Sequence, residues 1–184
     1  MKKSWKTISS KVIYKNAWVK VREDKVIRPD GKPGIYSVLD KKPSVIIIAQ
    51  DIDKSIYFIK QFRYPMSKYL IELPAGVANT KNLISDAKRE LKEEIGITAK
   101  SWKILGKFYP ACSDASFPMY AVLAKELNTS NVNVYGEGNE LISNVTRFKL
   151  SEIKKLIAQG KIECGPSLAA LSMLYLKHKY ANIK

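Results

Sequence analysis

Apolar and polar residues alternate along "KVIYKNAWVKVREDKVIRPDG", residues 11–31. A period of two predicts half-buried β-strands. Pro29, Asp30 and Gly31 supply the residue types of a tight turn, and "IYSVLD" resumes the strand pattern, so a hairpin is expected. Lys41, Lys42 and Pro43 then interrupt it. We expect a small antiparallel β subdomain over 1–42 and the main domain over 43–184. "SVIIIAQD", "SIYFIKQFRY" and "LIELPAG" read as three further strands, the last ending at Pro74. The spacing then lengthens to a helical one, from about Asn82 to Ile95, and Gly96 supplies a stop. Strands are expected over 101–109, 119–125 and 140–149. Ser151 is the expected N-cap of a helix closed by Gly160, and Pro166 opens a last helix. The order is strands, helix, strands, two helices. It predicts an α/β protein of the α+β type, a mixed sheet sandwiched between helices.

Composition narrows this picture. The chain has 184 residues, 46% hydrophobic and 27% charged, enough for a packed core and too apolar for a disordered chain. No run approaches the ~20 apolar residues that a spanning helix needs, so no membrane partner is expected. The first residues, "MKKSWKTISSK", are basic but lack an apolar stretch, which predicts no secretory signal. Cys112 and Cys164 do not form a CxxC pattern. They are expected as free thiols in a reducing, cytoplasmic setting. The formal charge is +15. It comes from 27 lysines and only 5 arginines spread along the chain. Base-reading surfaces also lean on arginine, so nucleic acid is not the expected partner. An anionic small molecule fits such a field.

Against that charge, one acidic cluster stands out. Glu90, Glu93 and Glu94 fall within five residues of the helix. On a helical wheel they share an arc of about 100°. The arc borders the apolar stripe Ile84, Ala87, Leu91 and Ile95 rather than lying opposite it. Like charges at this spacing repel, and a hard divalent cation would relieve them. Magnesium takes carboxylate oxygens and commonly also holds substrate phosphates. "LPAG" before the helix could turn a backbone carbonyl toward the same place. A solvated acidic face is the other reading of this spacing.

"RELKEEIGI", Arg89 to Ile97, resembles the closing half of the Nudix box: Arg-Glu-apolar-any-Glu-Glu-any-Gly-apolar. "QFRYP", "ELPAG", "LGKFYP" and "GKIECGPSLAAL" resemble, in order, segments of the ADP-ribose pyrophosphatase-like branch. The upstream half departs from the pattern. Gly76 and Arg89 are separated by twelve residues instead of thirteen, and Lys81 stands where the family has its first Glu.

The resemblance implies a Nudix fold and hydrolysis of a nucleoside diphosphate sugar, ADP-ribose before GDP-mannose. A non-catalytic nucleotide sensor of the same fold is the alternative. It implies Mg²⁺, or Mn²⁺ in its place, held by Glu90 and Glu94 with help from Glu93 and the Ala75 carbonyl. Arg89 would position Glu93 by ion pairing. The general base would come from "YGEGNELI", as Glu140 or Glu137. Arg63 would contact phosphate or ribose, or else hold a structural ion pair. Trp18 and Tyr36 would stack on a base, or pack within the sheet. Glu72 would bind substrate or cap the loop. After Tyr109 and Pro110, "ACSDAS" replaces the family's Ser-Pro-Gly. A homodimer through the N-terminal sheet is also implied.

Overall fold

A computed structural model describes residues 4–134 and 141–179. Contacts within the chain divide it into two units. One runs through Lys42 and also takes in Tyr109–Pro118; the other holds Pro43–Phe108 and Met119 onward.

In the first unit, β1 (Lys6–Lys15), β2 (Lys20–Ile27) and β3 (Pro33–Asp40) form an antiparallel sheet in the order β1-β2-β3. The Asn16 side chain accepts from the amides of Trp18 and Val19 at 2.9 and 2.8 Å and sets the first turn. Gly31, at φ 84°, supplies the left-handed step of the second. The alternation read from Lys11 onward predicts half-buried strands, yet every residue of β1 is exposed. Among the described residues, Ile8, Val12 and Tyr14 keep half or more of their surface exposed.

Segment 109–118 adds to β3. The Leu39 amide donates to the Asp114 carbonyl at 2.7 Å, and the Ser116 amide donates to the Leu39 carbonyl at 3.1 Å. The Ser116 hydroxyl donates to Asp40 at 2.6 Å.

In the second unit, β4 (Ser44–Ala49) is central. It pairs in parallel with β9 (Met119–Asn128) and antiparallel with β7 (Ala75–Val77), and β8 (Thr98–Phe108) pairs with β9, giving the order β7-β4-β9-β8. A second sheet orders β10 (Ile142–Phe148), β5 (Ile56–Arg63) and β6 (Lys68–Glu72). β4 reads as an unbroken apolar run because both its faces are covered. Val45 and Ile47 pack with Ala87, Leu91 and Ile95 of α1 (Leu83–Ile95). α3 (Gly165–Lys179) also packs on β4, whose Ile46 and Ile48 are fully buried. Each such isoleucine contributes roughly 1.5–3 kcal/mol. The result is the expected α/β fold, a mixed sheet between helices.

Two local expectations need correction. "LIELPAG" is not one strand: β6 and β7 belong to different sheets. Pro74 has no amide to continue a ladder, and its carbonyl instead accepts from Ile47 at 2.8 Å. Ser151 is not the cap of α2 (Leu150–Ala158). The cap and the helix start lie two residues earlier, at Lys149 and Leu150, and the Glu152 side chain accepts from the Lys149 amide at 2.7 Å.

Candidate active site

The crossover at Leu73 and Pro74 sets the site. It carries the chain from Glu72, on β5's partner strand, to Ala75, opposite Ile46 on β4. The buried Ser167 hydroxyl, in the first turn of α3, accepts from the Leu73 amide at 3.0 Å and ties this crossover to that helix. The loop from Ala78 then leads into α1, where the Asn82 side chain accepts from the amides of Ile84 and Ser85. Gly96 closes the helix at φ 69°.

Asp86 holds that loop from inside. Its carboxylate is buried and accepts from the amides of Asn79 and Thr80 at 3.2 Å each and from the Thr80 hydroxyl at 3.0 Å. The sequence pattern does not single out Asp86. The missing first box Glu and the shortened loop were the available hint that another acid must anchor these amides.

The three glutamates of the box separate by environment. Glu94 is buried, 2% exposed. The Glu90 side chain is largely covered, while that of Glu93 is 46% exposed. The Glu90 carboxylate lies directly over Gly76, where a Cβ would overlap it. This is a physical reason for the box glycine. Arg89 clamps the arrangement: Nη1 donates to Glu93 at 2.7 Å, and Nη2 donates to Glu90 at 2.6 Å and to the Val77 carbonyl at 3.1 Å. Burial works against the Arg89 charge, but the hydrogen bonds and charges of Glu90 and Glu93 outweigh it and raise its pKa. A freely solvated acidic face is therefore not what these residues form. Among the described residues no group of three acidic, histidine or cysteine side chains is gathered to hold a metal ion. Arg89 bridges Glu90 and Glu93. The donor set nonetheless suits a hard divalent cation: carboxylates and a nearby backbone carbonyl, with the Gly76 cradle admitting Glu90.

Beside Ala75 opens a cleft of about 470 Å³, lined among others by Arg63, Lys68, Glu72, Glu163 and Cys164. Glu72 is 3% exposed and receives Arg63 bidentately, at 3.0 Å from Nε and 2.7 Å from Nη2. Burial opposes the Arg63 charge as well, and Glu72 again outweighs it and raises the pKa. Burial pushes the Cys164 thiol up, and the Glu72 charge adds to the shift. Arg63, Glu72 and Ala75 thus meet at one cleft. Lys68, Glu163 and Ser167 were not legible in advance, because their partners lie 94 or 95 residues away.

Trp18 and Tyr36 lie in the first unit. Trp18 is 74% exposed, with its ring in solvent. Tyr36 is engaged: Trp5 packs on its ring edge-on at 5.3 Å, and its hydroxyl donates to the Ser113 carbonyl at 2.5 Å. Glu137 and Glu140 lie outside the described residues.

These features agree with the comparisons to known proteins. A nucleoside diphosphate sugar hydrolase N-terminal domain matches residues 5–39, and the NUDIX domain matches residues 40–168. An ADP-ribose pyrophosphatase from Bacillus subtilis (strain 168) is 27% identical over 173 residues, 94% of this chain and 93% of that protein. A methanol dehydrogenase activator from Bacillus methanolicus is 26% identical over 179 residues, covering 95% and 96%. A solved structure of an ADP compounds hydrolase superposes with a TM-score of 0.81 at 20% identity, covering 97% of this chain and 96% of that one. The NUDIX match takes in well over half of the chain, so the protein belongs to the Nudix hydrolases, in the ADP-ribose pyrophosphatase-like branch.

Proposed function

We propose that the chain hydrolyses the pyrophosphate bond of a nucleoside diphosphate sugar, with ADP-ribose giving AMP and ribose 5-phosphate. The observation that carries this reading is the Arg89–Glu90–Gly76 clamp, which presents box carboxylates at a strand end next to a cleft holding a fixed guanidinium. The N-terminal domain match and the ADP-ribose pyrophosphatase relative support the substrate class.

Glu90 and Glu94, with Glu93 and the Ala75 carbonyl, would hold Mg²⁺ or Mn²⁺. Such a cation neutralises the diphosphate and lowers the pKa of an attacking water. Water adds to one phosphorus, the bond to the bridging oxygen breaks, and that oxygen leaves with the second phosphate. The water's proton needs a carboxylate acceptor. Glu93, half-exposed, is one candidate, and Glu140 or Glu137 the other. Arg89 is a positioning residue that orients Glu90 and Glu93. Arg63, preorganised by Glu72, presents a planar donor to the phosphates or ribose. Trp18 offers an open aromatic face to a base; Tyr36 is the weaker candidate, since both its ring and its hydroxyl are already engaged.

The two unbridged cysteines support a cytoplasmic setting, and no described helix is long and apolar enough to cross a membrane. We also propose a homodimer through β1, whose exposed Ile8, Val12 and Tyr14 support it. Incubation with Mg²⁺ and ADP-ribose, GDP-mannose, ADP-glucose or NADH, with product identification, tests the reaction. Chelation should abolish turnover and excess Mg²⁺ restore it. Binding of these compounds without cleavage would favour a sensor instead.

A further inference from the structure

Two ion pairs line the cleft beside Ala75, and they differ in kind. Arg63–Glu72 is anchored: the carboxylate is buried and the contact is bidentate. Lys68–Glu163 is open. It closes at 2.5 Å, yet its side chains are 49% and 46% exposed. A buried bidentate pair keeps its partners, because separating them strands a desolvated charge. An exposed pair is held weakly and exchanges readily.

Both carriers of the open pair adjoin residues tied into the fold. Lys68 follows Ser67, which sits at φ 51° and closes the 3-10 turn Tyr64–Met66 through its amide to the Tyr64 carbonyl at 3.0 Å. Glu163 follows Ile162, which is 2% exposed, and precedes α3, whose Ser167 is fully buried. The pair therefore joins the end of the β5–β6 connection to the segment before α3, across 95 residues of sequence. Only the two side chains need to move for it to open.

On the proposed function, a diphosphate would bring at least two negative charges to this cleft beside Ala75. The Arg63 charge is already balanced by Glu72. Lys68 is the cation that can change partners: a flexible four-carbon stem carries three donors, and an ammonium suits phosphate oxygens as a point charge.

We infer, building on the proposed function, that Lys68 recruits the phosphates of the substrate and that Glu163 is its latch. Glu163 holds the ammonium at the cleft while it is empty and gives it up to a phosphate oxygen on binding. Glu163 then acts against affinity, as an internal competitor.

The test is a four-protein cycle of wild type, Glu163→Gln, Lys68→Gln and the double variant. Binding of ADP is measured by calorimetry and ADP-ribose turnover by KM and kcat. Glu163→Gln should tighten ADP and lower KM about three- to fivefold, with the effect on KM rather than kcat. Lys68→Gln should weaken both about five- to twentyfold, and Lys68→Arg should restore most of the loss. On the Lys68→Gln background, Glu163→Gln should change nothing. The inference is overturned if Glu163→Gln leaves ADP binding unchanged or weakens it, or acts equally in both backgrounds. The ADP arm does not depend on turnover. The hydrolase reading fails separately, if wild type cleaves none of the compounds or Glu90→Gln cleaves them as well as wild type does.

Discussion

The α1–β7 region and the N-terminal sheet treat their sequence patterns in opposite ways. Along α1 the polar groups next to the core find partners inside the chain: Asp86 takes two amides and a hydroxyl, and Arg89 takes Glu90, Glu93 and the Val77 carbonyl. Along β1 the apolar side chains stay largely uncovered among the described residues: Ile8, Val12 and Tyr14 are each half or more exposed. A self-satisfied region can be read for chemistry from one chain. A region with unmet apolar surface points outward, to something the chain alone does not supply.

The largest effects are expected where the self-satisfied region has no slack. Gly76→Ala drives a methyl group into the Glu90 carboxylate, so Glu90 must leave its seat and take the Arg89 bridge with it. Glu90→Gln keeps the shape and removes the charge. Both should lower kcat/KM by roughly 10²–10³-fold, or several kcal/mol of transition-state stabilisation. Gly76→Ala should move the urea midpoint little, because what gives way is the flexible end of the Glu90 side chain. Wild-type turnover in purified Glu90→Gln would end the reading of the cluster as catalytic.

Next comes the loop anchor. Asp86→Ala leaves the Asn79 and Thr80 amides without their acceptor in a part-buried site. We expect a loss of about 1–3 kcal/mol in urea unfolding, with a smaller fall in activity than at Glu90. Asp86→Asn keeps one acceptor oxygen but sets an NH2 where the other stood, and should recover only part of it. An unchanged midpoint for Asp86→Ala would show that the loop holds itself.

How much of this was legible follows from the range of each interaction. The helix start near Asn82, the Gly96 stop and the stripe Ala87, Leu91 and Ile95 are local and were readable, with Asn82 turning out to be the cap of a helix that opens at Leu83. Of the three glutamates set on the border of that stripe, Glu94 is buried, Glu90 is partly covered and Glu93 is half-exposed. Asp86 escaped because its partners lie in a loop whose path no periodicity encodes. Lys68 with Glu163, and Leu73 with Ser167, escaped because only the finished fold brings them together. The break at Pro74 was in principle readable, since proline ends a ladder, but the switch to another sheet was not. For β1 the alternation is real, and it mispredicted burial because a period reports a face and not what covers it.

That unmet face gives a prediction with a small cost to the single chain. Ile8→Asp and Val12→Asp remove apolar surface that β1 leaves exposed. Monomer stability should change within about 0.5 kcal/mol. Light scattering should report a shift from dimer to monomer. A wild-type monomer at working concentration would remove the proposed partner and leave β1 in need of another.

The smallest expected effect concerns pH and the segment docked on β3. The Ser116 hydroxyl hydrogen bond first, and then Lys20, hold the Asp40 carboxyl below its ordinary pKa, with the Arg22 charge adding to them against partial burial. A carboxyl with a lower pKa folded than unfolded stabilises the fold fully above the unfolded value, near 4. That contribution drains away as pH falls through the folded value, because the unfolded chain takes up the proton first. Ser116→Ala removes the largest cause. It should therefore lose less stability than wild type between about pH 6 and about pH 3, and the two should converge at lower pH once Asp40 is protonated in both states. Parallel curves across that range would show that the 109–118 segment is held on β3 by the Leu39 backbone bonds alone, with Asp40 as a bystander.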